Sequence, residues 1–275
     1  MTLNAEEQRA LDETETYFRD PGESILGRAS RAVFRPVEAL TERLVPDRFL
    51  ELAGGGVEGV LKGISSISDK TLDLGGVLRE ARKYAEVDDV EDMKTQSLEV
   101  VDRVAEACSS QGQLLAALEG AGCGAGGVAL LAADIPLLFG VCMRTVRHIG
   151  ACYGIDPKLP GEDVIAFKVF ELACGGTQDR YAELLEIDTL ADELDGLEQS
   201  QRAEKAAVLA GLFMSREAIK SIVGKLLPRK VFQTIPLAGS LVGAGFNYMF
   251  VADVAKTASM VYRRRFLYAR AKTSA

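Results

Sequence analysis

Tryptophan is absent from this sequence, and histidine occurs once, at His148. One imidazole cannot build a His-rich zinc centre or an HExxH protease site, so both chemistries are excluded. A Ser or Cys nucleophile served by a single His base remains open. Aromatic residues make up only 7% of the chain. Carbohydrate sites and single-strand nucleic-acid platforms lean on exposed aromatic rings, so neither is expected. There is no CxxC pair among the five cysteines, Cys108, Cys123, Cys142, Cys152 and Cys174. Their odd number and their Ala, Gly and apolar neighbours fit buried free thiols in a reducing compartment. The first residues, Met1 to Glu7, are acidic and contain no apolar signal core, so a cytoplasmic location is expected.

Motifs for common chemistries are missing as well. The Gly-rich stretches contain no GxxxxGK[ST] phosphate loop, and no GxSxG elbow occurs. Residues 122–127 spell GxGxxG, but a helical pattern precedes them where a dinucleotide site needs a strand. Cys152 lies four residues after His148, near the same helical face, yet Ile149, Ala151 and Tyr153 surround the pair, which favours core packing. No cofactor and no metal are expected, and catalysis is not the favoured role.

Alternating β-branched runs and hairpin signals are scarce, and helix formers dominate, so the chain reads as all-α, a single multi-helix domain. Asn4 followed by Ala-Glu-Glu predicts a helix N-cap, with a stop near Asp20-Pro21-Gly22. Residues 1–35 read as an N-terminal helix and arm, and 36–275 as the helical domain. Pro46 and Asp47 open a helix toward Gly63, which Gly54-Gly55-Gly56 either interrupt or pack closely. Leu98, Val101, Val104, Ala105, Cys108, Leu114, Leu115 and Leu118 form one stripe, with a candidate break at Ser109–Gly112. An apolar Gly/Ala stretch covers 120–143. Pro157 and Pro160 mark a loop, and a helix follows from Gly161 to about Ala173. Acidic helical pieces occupy 178–204, and an apolar one runs to Val223. Pro228 and Pro236 bracket a short segment before a long last helix over 238–270.

The pattern GAG-x6-AD-x9-R occurs twice, as Gly124-Ala125-Gly126…Ala133-Asp134…Arg144 and Gly243-Ala244-Gly245…Ala252-Asp253…Arg263. It predicts a duplicated Gly-rich helical unit whose missing side chains let another backbone approach. Asp and Arg of one unit stand about 15 Å apart along a helix and cannot pair. Antiparallel units could exchange partners, Asp134 with Arg263 and Asp253 with Arg144. Such pairs either fix helix register or, together with Asn247, line a polar pocket on the repeat axis that could serve an enzyme.

The 120–143 stretch is long enough to span a bilayer. Asp134 near its middle costs about 2.5–3.5 kcal/mol, Gly and Ala contribute little, and Pro136 weakens it further. It reads as a core helix, with a shallowly inserting hairpin as the alternative.

Charge is unevenly spread. The net charge is −8, but residues 216–275 hold eleven Lys/Arg against Glu217 and Asp253, a net of +9 that leaves −17 elsewhere. Two readings fit. Lys225, Arg229, Lys230, Arg264, Arg265 and Arg270 form a patch for anionic lipid headgroups, or the basic tail packs against the chain's own acidic half. The acidic sequence pI and the lack of a nucleic-acid motif argue against nucleic acid as a partner.

Several segments carry a family resemblance: Leu44-Val45-Pro46-Asp47; Gly127–Pro136 with its Asp-Ile-Pro step; Tyr153-Gly154-Ile155-Asp156 followed by Glu162-Asp163; and Ile235–Ser240 with Gly243–Tyr248, leading to Arg263–Arg265. In these the sequence resembles the EcsC family over about residues 36–270. The resemblance implies a helical protein that is either cytoplasmic or associated with the inner face of a membrane, with a membrane transporter as one candidate place for a protein partner. It brings no catalytic residues with it. The reading reached is a membrane-peripheral or lipid-interacting binding protein, with an enzyme built on the Asp/Arg set or a cytosolic scaffold as alternatives.

Overall fold

The computed structural model describes residues 3–20, 47–65, 72, 74–123, 127–175, 180–213, 215–231 and 239–272. Among them every regular element is helical: α1 (Ala5–Arg19), α2 (Asp47–Ser65), α3 (Leu74–Ala81), a 3₁₀ turn (Glu91–Thr95), α4 (Leu98–Cys123), α5 (Gly127–Cys152), α6 (Glu162–Cys174), α7 (Arg180–Asp195), α8 (Gln199–Phe213), α9 (Arg216–Val231) and α10 (Gly239–Lys272). The all-α expectation holds. The first repeat tripeptide, 124–126, lies outside the described residues, as does Pro236.

Helix α1 begins where its sequence demands. Asn4 Oδ1 accepts from the backbone amides of Glu6 and Glu7, and Glu7 reaches back to the Asn4 amide, closing a capping box. Its buried residues Ala10, Leu11, Thr14 and Phe18 fall on one stripe, so one face docks and the other meets water.

The long helix α10 is the organising element. It packs against α4, α5, α6 and α1, while α5 also carries α2 and α4. Val251, Val254, Ala255, Ala258, Val261, Tyr262 and Leu267 are buried along it. Helix α6 is apolar nearly all round, with Val164, Ile165, Ala166, Phe167, Val169, Phe170 and Leu172 buried. Such a helix belongs inside a domain. Phe139 of α5 meets Phe167 and Phe170 edge-on at 6.5 and 5.1 Å.

Two expectations are corrected, and packing decides between the two readings of a third. Helix α4 runs unbroken through Ser109–Gly112: Ser110 bonds back to the Glu106 carbonyl, and Gly112 is where α5 comes closest, since a methyl group there would stand 2.5 Å from Thr145 Oγ1. Gly56 closely packs α2 rather than interrupting it, because its bare Cα leaves room for the Pro136 ring of α5. Helix α9 continues through Pro228 to Val231.

Candidate functional site

The C-terminal third of α10 carries Arg263, Arg264 and Arg265 in succession. Consecutive helical residues point about 100° apart, so three neighbouring guanidinium groups cannot share one face. Each finds a different acidic pair.

Arg265 enters the interior. Its Nη1 donates to Glu162 Oε2 at 2.8 Å and its Nη2 to Glu162 Oε1 at 3.0 Å. Arg202 of α8 donates to the same Glu162 Oε1 at 2.9 Å, to Asp195 Oδ1 at 2.8 Å and to the Pro160 carbonyl at 2.8 Å. Glu162, Arg202 and Arg265 are all buried. Burial alone would weaken Arg265's hold on its proton, but the charge and hydrogen bonds of Glu162 outweigh it and keep the guanidinium firmly charged. Glu162 also sits in the first turn of α6, where the helix dipole favours a carboxylate. Tyr262 beside it is buried, and burial followed by the Glu162 charge pushes its phenol well above the usual value. Arg147 of α5, also buried, donates to the Pro157 carbonyl at 3.2 Å, and burial lowers its proton affinity.

Arg263 donates to Asp102 Oδ2 at 2.6 Å and to Glu13 Oε2 at 2.7 Å. Tyr153 completes the cluster by donating to Asp102 Oδ1 at 2.7 Å. Arg264 donates to Asp188 Oδ2 at 2.8 Å and Glu15 Oε1 at 3.1 Å, and lies 4.5 Å above the Tyr268 ring. Arg270 donates to the Gln96 carbonyl at 2.7 Å and approaches Glu7 at 3.4 Å. Beside Arg263 an open cavity of about 380 Å³ lies between α1 and α4, lined by Arg9, Glu13, Asp102, Arg103 and Glu106 among others.

Arg264 and Arg265 are therefore not an exposed lipid patch; their side chains are 3% and 6% exposed and neutralised from within. Arg270 is paired in the same way. Of the two readings of the basic tail, these residues follow the one in which it packs against the chain's own acids. The side chains of Lys225, Arg229 and Lys230, on α9, lie outside the described residues.

The expected exchange of Asp134 with Arg263 does not form, because α5 and α10 run parallel. Tyr153, one residue beyond α5, and Arg263 near the end of α10 both reach Asp102 at the start of α4, and Gly150 packs on the Tyr262 ring. Asp134 lies nineteen residues before Tyr153, roughly 28 Å along the axis. Asn247, buried, lies sixteen residues before Arg263 on α10, roughly 24 Å away. Arg144 is exposed, Asp253 is half-buried and Asp134 is buried. Arg263 stands apart from Asp134 and Asn247, engaged with Asp102 and Glu13.

Cys152 and His148 form no dyad. The Cys152 thiol donates to the His148 backbone carbonyl at 3.1 Å, and burial raises its pKa, which suits packing rather than attack. Sequence reasoning missed Asp102, Arg202 and Glu13. Only the acidic start of α6, at Glu162-Asp163, was visible as a feature, and nothing local marked Arg202 as its partner.

Fold and ion-pair pattern together define a helical protein threaded on one long C-terminal helix, with buried arginines and no assembled catalytic set among the described residues. The chain belongs to the EcsC protein family, whose profile matches residues 5–267. It is 30% identical to YdbA of Bacillus subtilis (strain 168) over 183 residues, 66% of this chain and 64% of YdbA. It is 31% identical to the protein EcsC of the same strain over 157 residues, 56% of this chain and 59% of that one. The matches thus span less than two thirds of each relative. No solved structure matches.

Proposed function

We propose that this chain is a membrane-peripheral, lipid-interacting helical protein that meets the bilayer with the end opposite its arginines. The observation that supports this is a level of outward-facing apolar side chains. Measured along their helices from the Asp102 cluster, Leu114 of α4, Leu137 of α5 and Tyr248 of α10 stand roughly 18, 24 and 22 Å away. They are 60%, 48% and 45% exposed, and Leu52 of α2, the helix that packs on Pro136, is 68% exposed. Residues 120–133 and 231–252, which adjoin this level in the chain, contain no charged side chain. Exposed apolar surface gathered from several helices marks a contact surface. Among the described residues no helix is long and apolar enough to cross a membrane, so the contact is shallow. Helix α9 reaches this end, since Ile219 packs beside Gly54, and its sequence carries Lys225, Arg229 and Lys230, charges of the kind that attract anionic headgroups.

Vesicle flotation tests this. Flotation on zwitterionic vesicles should survive high salt, rise with anionic lipid at low salt, and fall severalfold in L114E/L137E, whose side chains are 60% and 48% exposed. Failure to float on either lipid at either salt overturns the proposal.

A further inference from the structure

Helix α1 lies antiparallel on α10 in a fixed register. Glu7 pairs with Arg270 at 3.4 Å, Glu13 with Arg263 at 2.7 Å and Glu15 with Arg264 at 3.1 Å, and the Tyr17 hydroxyl meets Thr257 Oγ1 at 3.1 Å. From Glu7 to Tyr17 along α1 the partners run back from Arg270 to Thr257 along α10. The apolar residues Ala10, Leu11 and Phe18, with Thr14, are buried between these contacts. Arg180 of α7 stands over the Tyr17 and Phe18 rings at 5.1 and 5.5 Å, and Arg19 over the Tyr181 ring at 3.9 Å.

The receiving face does not depend on α1 for its shape. Each arginine has a second anchor in the body of the domain: Asp102 for Arg263, Asp188 for Arg264 and the Gln96 carbonyl for Arg270. Take α1 away and three guanidinium groups remain aimed, each with donors left over. That is a preorganised site for carboxylates at a set spacing, bordered by an apolar trough. One flank of α1 is open, for the cavity of about 380 Å³ separates it from α4. Twenty-seven residues, 20–46, join α1 to α2.

We propose that the arginine face of α10 is a docking groove for an acidic amphipathic helix, and that α1 is the occupant in cis, which a partner protein's helix displaces. The chemistry of the guest follows from the present occupant. It carries carboxylates at positions i, i+6 and i+8 for Arg270, Arg263 and Arg264. Small or apolar side chains stand at i+3, i+4 and i+7, with an aromatic ring at i+11, set as Ala10, Leu11, Thr14 and Phe18 are. The present occupant belongs to the same chain, so the guest binds only if its affinity and local concentration outcompete an intramolecular rival. The groove lies at the end away from the apolar level, so it is reachable while that level faces a membrane.

The test uses the full chain and, as probe, a fluorescein-labelled synthetic peptide of residues 3–20, read by anisotropy. In L11A/F18A, which weakens the cis helix, the peptide should bind at least about tenfold more tightly than in the unaltered chain, because competition is relieved. Adding R263Q and R270Q should reverse that gain, and a peptide with Glu7, Glu13 and Glu15 replaced by Gln should bind about tenfold more weakly. Equal binding by the unaltered chain and folded L11A/F18A, or by the charged and neutral peptides, overturns the proposal. Hydrogen exchange on the unaltered chain gives an independent reading if L11A/F18A does not fold. The α1 amides should exchange as a unit about a hundredfold faster than those of α4 and α10; equal protection overturns the proposal.

Discussion

Arg265 holds Glu162 with both arms of its guanidinium, at 2.8 and 3.0 Å, in a place where neither side chain meets solvent. Arg202 shares the same carboxylate at 2.9 Å. One buried anion thus ties α6, α8 and α10 together, and its removal would leave two buried cations with only the half-exposed Asp195 between them.

That asymmetry makes a sharp prediction. Glu162→Ala should destabilise the domain by about 3–5 kcal/mol, since breaking a buried pair strands the partner charge. Replacing all three residues at once, Glu162→Met, Arg202→Leu and Arg265→Met, should cost far less, being neutral or stabilising by about 1–4 kcal/mol. Urea unfolding of the single and triple variants decides it. Equal losses in the two would mean that the cluster acts through packing of its stems and not through charge.

Stability should also fall in alkali. Burial pushes the phenols of Tyr153 and Tyr262 well above the ordinary tyrosine value, the nearby charges of Asp102 and Glu162 adding to it. A group raised in the folded state contributes fully below its unfolded pKa, and that contribution is lost as pH rises. Above about pH 10 the unfolded chain releases both protons while the folded one keeps them, so each tyrosine should cost about 1.4 kcal/mol per pH unit. Unfolding free energies at pH 8, 9, 10 and 11 should show this bend, and Tyr262→Phe should reduce its slope by one proton's share, about 1.4 kcal/mol per pH unit. A slope that Tyr262→Phe leaves unchanged would refute the assignment.

What the sequence could show here follows from the range of each interaction. The α1 cap was legible because Asn4 and Glu7 act within one turn, and the all-α class because helical periodicity repeats over whole segments. The basic C-terminal segment was legible as charge but not as direction. Arg263, Arg264 and Arg265 read as one patch along the string, yet a helix fans them toward Asp102, Asp188 and Glu162, whose positions depend on helices 76 to 161 residues away. The Asp134–Arg263 pairing failed for a related reason: the repeat spacing says nothing of whether α5 and α10 run parallel or antiparallel.

Gly154 makes the turn that brings Tyr153 to Asp102. Its φ of 82° lies in the left-handed region, and a Cβ there would stand 2.9 Å from the Lys94 backbone nitrogen. Backbone cannot yield as a side-chain tip can. Gly154→Ala should therefore cost about 1–3 kcal/mol from the strained conformation, with the steric term on top. Gly211→Ala is the control: nothing lies within 4 Å of its Cβ position, and it sits inside α8, so it should be neutral or stabilising by a few tenths up to about 1 kcal/mol. Thermal melts of the two variants side by side would contradict this if their Tm values shifted alike.

The contact between Gly56 and Pro136 yields a coupling that can be measured. A Cβ at residue 56 would overlap the Pro136 ring. The ring cannot rotate away, and it sits inside α5, so relief requires the two helices to part. Gly56→Ala should cost about 1–3 kcal/mol by overpacking. Pro136→Ala removes the ring Cγ that the new methyl would meet at 2.3 Å, leaves a Cβ at 3.0 Å, and restores an amide to α5. The double variant should then be more stable than the sum of the single changes predicts, with an interaction energy of at least about 1 kcal/mol. Additive losses would mean that the approach of α2 to α5 is not set at this point. At Gly140, which faces Val60 on the same pair of helices, a Cβ would sit at an ordinary 3.8 Å from Val60, so Gly140→Ala should be tolerated.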